Sequence, residues 1–327
     1  MIRIATILAI ASSLLASSLF AQLELGGLRT GYVADDTTRV VRPVLGIPGA
    51  AYLGAALNLD FPVASVSLIS GGSALVAISG GDQPEAWLVR DLDSASPAAR
   101  SLGSATDAFA SIRASVVVLY SRSQTSLRIV SQLDREPNAG PAVSEDTLGG
   151  KFRFASVDED SGCAAVVSTA EGETRIHEFC PSRPAEARFL RSLPGLDPAA
   201  IVYSKALGGL LLADRSGRVT LLRTPLDSGA MDPIAFGLDM PAGAQALSST
   251  RALIASAASP RAWIVDAKAK AVVQTIDLPI VPAALYYLVP GRVLACNRPG
   301  DDPLLVIDLQ QDAAPYFVAG ARAGGSQ

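Results

Sequence analysis

The chain has 327 residues, 49% of them hydrophobic, 18% charged and 6% aromatic, with a mean hydropathy of +0.33. That much apolar surface excludes intrinsic disorder. With 27 basic and 31 acidic residues and no long charge blocks, nucleic acid is excluded as the expected partner.

The N-terminus reads MIRIATILAIASSLLASSLFAQ. Arg3 and the amino terminus make a short positive region, Ile4 to Leu15 an apolar one, and a small-residue stretch ends at Phe20-Ala21-Gln22. This is the layout of a secretory signal peptide over residues 1–21, too short in its apolar part for a membrane span; a buried N-terminal helix is the alternative. Cleavage after Ala21 removes one arginine and leaves a net charge of −5, with 26 basic and 31 acidic residues. A secreted or periplasmic protein without a transmembrane segment is expected.

From residue 22 to 320 the chain reads as one all-β domain. LRTGYVADDTTRVVRPVLG supplies two strand runs around an Asp-Asp-Thr-Thr turn, so residues 22–62 are expected to form a partial blade that closes a ring. A strand pattern then recurs from near Ser65, Ala108, Phe152, Ala199, Ala244 and Ala284, at spacings of 43, 44, 47, 45 and 40 residues. Within each unit, runs rich in Val, Ile, Leu and Tyr alternate with Gly, Ser, Asp and Pro. Helix is conceivable only between Ser94 and Ala114, where Pro97 and Gly103 interrupt it. Six repeats of four short antiparallel strands from residue 63, plus the closing unit, predict a single seven-bladed β-propeller. Six blades, or a two-domain β-sandwich, are the alternatives. Residues 321–327 are expected to be a disordered tail.

Three units are closer copies: WLVRDLDSASPAARSL from Trp87, WIVDAKAKAVVQTIDLP from Trp263 and LLVIDLQQDAAPYFVAG from Leu304. Each runs into Asp91, Asp266 or Asp308, whose carboxylate is expected to accept backbone N–H groups and start the turn. On these residues the chain resembles the secreted bacterial YVTN-type and WD40-like β-propeller repeat proteins. The resemblance implies the fold and leaves function open.

Cys163 and Cys180 flank STAEGETRI. A hairpin turning at Glu171-Gly172 sets Cys163 directly opposite Cys180, at a separation of about 4.5–5.5 Å between Cα atoms that a disulfide accepts. Cys296 then has no partner and is expected to be a buried strand residue. In the same register His177 opposes Val166 and faces away from Cys180.

No G-x-S-x-G, Gly-Lys-Ser, G-x-G-x-x-G or C-x-x-C motif occurs. One histidine and three cysteines are too few for a zinc centre. The acidic turn DEDSG at Asp158–Gly162 lacks the spacing of a calcium loop. No catalytic residue, metal or cofactor is therefore expected. What remains is the set of loops between second and third strands, which a propeller gathers on one face. They carry Asp82, Glu85, Arg122, Glu171, Asp214, Arg215, Arg261, Arg298, Asp301 and Asp302. Mixed charge suits a protein or cell-envelope partner, so a monomeric, non-catalytic binding or scaffold module is the expected function. A lactonase- or lyase-type propeller enzyme is the alternative, and it requires carboxylates converging at the central channel. A quinone- or flavin-dependent dehydrogenase lacks a cofactor motif.

Overall fold

The computed structural model describes residues 29–47, 49–183, 186–300, 302–310 and 312–320. The signal-peptide segment, the tail at 321–327 and Asp301 lie outside them.

Seven sheets form a ring. The repeats begin at Val63, Asp107, Lys151, Pro198, Pro241 and Tyr286, each within three residues of the start read from sequence. Blade two is typical: Val63–Ile69, Ala74–Ser79, Glu85–Arg90 and Ala98–Ser104 pair in sequence order, all antiparallel. Blade three divides its outer position between Asn138–Ala139 and Val143–Ser144. The Ala-rich segment after Ser94 is strand, Ala98–Ser104 and Asp107–Ala110; Ala98 and Ala99 lie exposed on an outer strand, while Leu102, Ala105, Ala108 and Ala110 pack into the core between blades. Among the described residues the only helical element is one 3₁₀ turn, Ser70–Gly72.

First strands line the axis and touch their neighbours around the ring, while second and third strands sit between blades. Burial follows from that geometry. Ala74–Ser79 and Gly209–Asp214 are buried along their whole length, because both faces of such strands meet another blade. The outer strand Ala271–Asp277 is exposed except at Ile276. Two faces buried instead of one explain why alternation is so weak in the sequence.

The closing blade contains Arg29–Asp35, Val40–Leu45 and Tyr52–Leu53. Its outer edge is met by the end of the chain, where Tyr52 bridges Ala319 in parallel and Leu53 N–H donates to the Ala319 carbonyl at 3.0 Å. Its inner strand runs against the direction of the other six. It starts beside the third-to-fourth-strand turn of blade two, where Arg29 pairs with Asp93 and the Tyr32 hydroxyl donates to the Leu92 carbonyl at 3.2 Å. It ends beside the second-to-third-strand loop of blade seven, where Asp36 N–H donates to the Pro299 carbonyl at 2.8 Å. That reversal places the Asp36-Thr37 turn on the loop face.

Turn chemistry agrees with the sequence at two of the three copied aspartates. Asp266 Oδ1 accepts from Lys268 and Ala269 N–H at 2.8 and 2.9 Å, and Asp308 Oδ1 from Gln310 N–H at 2.9 Å. Asp91 works differently: its φ is +53° and its backbone carbonyl accepts from Ser94 N–H. The Asp158–Gly162 turn is structural. Asp158 is buried; its Oδ2 accepts from Ser161, and its Oδ1 accepts from Lys205 N–H on the next blade at 2.8 Å.

Blade four carries the disulfide. Glu171 and Gly172 have φ of +51° and +81°, the doubly left-handed pair of a two-residue hairpin turn. Ala164 through Ala170 pair with Phe179 through Glu173, which sets Cys163 opposite Cys180; the two are bonded, with Cα atoms 4.2 Å apart. Cys296 is buried as expected, and burial pushes its thiol up to about 12.

His177 opposes Val166 and is 2% exposed. Its Nε2 lies 3.3 Å from Ser168 Oγ, its Nδ1 has no partner, and Phe189 meets the ring edge-on. Burial holds its pKa below the usual 6.5, so the folded protein keeps the ring neutral while the unfolded chain protonates below about pH 6.5. Stability from this group is therefore full above pH 6.5 and declines as pH falls, until the folded-state value is passed. Urea titrations at pH 7 and pH 5 should show a smaller midpoint difference for His177→Gln than for the wild type. An equal difference would remove His177 as the source.

Candidate functional site

The loops between second and third strands emerge on one face, together with the connections that enter each blade. In blade two, Asp82 is exposed, and Glu85 opens the third strand with its carboxylate accepting from Ser101 Oγ at 3.2 Å. Arg122 in blade three reaches Asp107, the first residue of its own inner strand, at 3.4 Å. Glu171 stands exposed at the tip of the tight hairpin of blade four. Blade five brings Arg215 to Asp197 at 3.2 Å, and blade six brings Arg261 to Asp277 at 3.3 Å. In blade seven Arg298 lies 3.8 Å from Asp36 of the closing blade, and its Nη1 donates to the Ala64 carbonyl of blade two at 3.1 Å.

A recurring device thus underlies the charge pattern: an arginine from the second-to-third-strand loop, or just beyond it, pairs with an aspartate near the entrance or exit of a blade. Exposed pairs of this kind contribute little to stability, and each leaves further guanidinium N–H groups open to solvent. Asp214 differs from the rest. Its side chain is 3% exposed and accepts from Ser216 Oγ, Arg218 N–H and Arg218 Nε at 2.5, 3.0 and 2.9 Å. It builds the loop from inside.

The ring disperses most of these groups and gathers Arg298 and Asp302. They line a cleft of about 1000 Å³ at the seam between blade seven and the closing blade. Ile280, Val281, Ala283 and Ala284, from the segment entering blade seven, give it an apolar wall, and Asp36 and Thr37 form the opposite side. Ala283 and Ala284 N–H both donate to the Cys296 carbonyl, at 2.9 and 3.0 Å, so this wall is fixed by the main chain. Sequence reasoning identified the turn at Asp36 but not its place. Nothing in LRTGYVADDTTRVV marks the reversed strand that carries it to this face.

The opposite mouth of the axial channel holds a cavity of about 230 Å³ lined by serines, Tyr203 and Tyr287. Its charged groups are Arg113 and Glu159, 3.5 Å apart. Glu159 is the single carboxylate among the described residues lining it. Across the described residues, one group has the spacing for an ion: Cys163, Glu178 and Cys180. Its sulfurs are bonded to each other, so it offers no thiolate ligand.

No protein family matches the chain, and no curated protein matches it in sequence. Solved structures resemble it in fold. A protein from Lactobacillus plantarum superposes with a TM-score of 0.60 at 12% identity, covering 89% of this chain and 95% of that one. A chain of the nidogen/laminin complex has a TM-score of 0.50 at 10% identity, covering 75% and 92%. Hsv2 of Kluyveromyces lactis has a TM-score of 0.52 at 10% identity, covering 75% and 72%. Identities this low carry the β-propeller fold and nothing finer.

Proposed function

We propose that the protein is an exported β-propeller that acts as a non-catalytic binding or scaffold module for a protein or other cell-envelope component. The observation that carries the reading is the loop face: charged side chains of both signs, presented by a rigid closed ring beside a preformed cleft. A rigid scaffold with variable loops is the usual way a fold presents a recognition surface. The nidogen/laminin neighbour, itself part of a protein complex, supports a protein partner. Export is supported by the layout of residues 1–21 and by the Cys163–Cys180 disulfide, since such bonds persist in oxidising compartments. Among the described residues no helix is long and apolar enough to cross a membrane. The segment from Trp263 to Pro279 supports kinship with the YVTN-type and WD40-like repeats.

Tagged full-length protein should be recovered from periplasm or medium without its first twenty-one or so residues, and the processed form should retain a partner from envelope extract. Cytoplasmic protein with Met1 intact would sink the export reading. Hydrolysis of a lactone by the purified protein would replace binding with catalysis.

A further inference from the structure

We infer that the seam cleft receives a short extended segment of a partner protein carrying a lysine or arginine among apolar residues; this rests on the loop face being the binding surface. The cleft's volume, about 1000 Å³, is at the upper end of the roughly 300–1,000 Å³ typical of ligand pockets, which leaves room for more than one side chain. One wall is apolar, and Val281 is 44% exposed there with nothing packed over it. The other wall is acidic. Asp36 and Asp302 both line it, against a single cation, Arg298.

That cation is partly engaged: Arg298 donates through Nη1 to the Ala64 carbonyl and lies 3.8 Å from Asp36, so it spans three blades, and one guanidinium stands against two carboxylates. Asp302 is exposed and has no cation partner among the described residues. The cleft therefore keeps a negative excess beside an apolar wall. An aliphatic stem ending in a positive charge complements both, because its methylenes cover Val281 and Ile280 while its head meets Asp302. A fixed wall keeps the ordering cost of binding low.

Fluorescein-labelled capped pentapeptide pools, with lysine, glutamate or norleucine fixed at the centre and mixed apolar residues elsewhere, would be titrated against the whole protein by fluorescence polarisation. The lysine pool should bind about tenfold more tightly than the glutamate pool at low salt, since like-charge juxtaposition opposes the latter. Asp302→Asn should remove most of that preference without moving the thermal midpoint. Arg298→Ala should strengthen lysine-pool binding, because it frees Asp36. Equal binding of the three pools, or preference for glutamate, overturns the inference. If the pools do not discriminate while envelope partner is still captured, the binding function stands and only the cleft's chemistry fails. If the lysine preference holds and no partner is captured, the cleft stands and the broader function fails.

Discussion

Asp214→Ala is expected to cost the fold on the order of 3 kcal/mol, through the loss of a buried carboxylate with several charge-assisted hydrogen bonds. The carboxylate closes the Arg215–Arg218 turn with three bonds, from Ser216 Oγ, Arg218 N–H and Arg218 Nε. Alanine leaves the Arg218 N–H without its side-chain acceptor and the guanidinium without a counter-charge. The turn also depends on Gly217, at φ +81°, where a Cβ would come within 2.0 Å of the Leu238 carbonyl oxygen, so no residue with a side chain fits there without a shift. Asp214→Asn, which keeps the shape and one acceptor, should lose less. Burial alone would raise the Asp214 pKa, but the Ser216 and Arg218 bonds outweigh it and hold the group below the usual 3.8. Its contribution is thus complete above about pH 4 and is lost as pH falls through the folded-state value. Urea midpoints at pH 7 and pH 3 test both points: the difference between wild type and alanine variant should be large at neutral pH and should shrink in acid. A difference that stays constant would mean that the carboxylate's charge plays no part.

Much of the fold was legible because local signals agreed with one another. The repeat starts, the Glu171-Gly172 turn and the opposition of Cys163 to Cys180 each follow from strand-and-turn chemistry within a few residues, and the structure has all three. The Asp266 turn followed from the same chemistry. The reversed inner strand of the closing blade did not, since Arg29–Asp35 reads alike in either direction and only contacts with Leu92, Asp93 and Pro299 set its course. Burial of loop residues was equally hidden. Asp214 and Arg215 are adjacent polar letters in the sequence, yet one side chain is 3% exposed and the other 56%. What separates them is the path of the Ser216-Gly217 turn, which folds back over the aspartate. The seam cleft was out of reach for the same reason, because its walls come from residues near 36, 280 and 300 that no local pattern connects.

Replacing Arg122, Arg215 and Arg261 together by alanine is expected to abolish partner capture while leaving the ring intact. The three side chains are 73%, 56% and 58% exposed, and their aspartate partners are 34%, 61% and 86% exposed. Exposed pairs contribute about 0–1 kcal/mol each, so the triple variant should stay folded with a slightly lower thermal midpoint. Arg298 is kept because its bond to the Ala64 carbonyl ties blade seven to blade two, which would confuse a binding loss with a structural one. Binding should respond more steeply than stability. Each guanidinium is held by one carboxylate and still presents donors to solvent, so a partner can add bidentate contacts without disturbing the ring. Arginine anchors of this kind often supply about 2 kcal/mol or more apiece at protein interfaces. Loss of three should therefore reduce recovery from envelope extract to background. The comparison needs circular dichroism and a thermal scan beside the capture assay. Unchanged capture by a well-folded triple variant would move the interface off these blades, leaving the seam cleft and the opposite face as the surfaces to probe next.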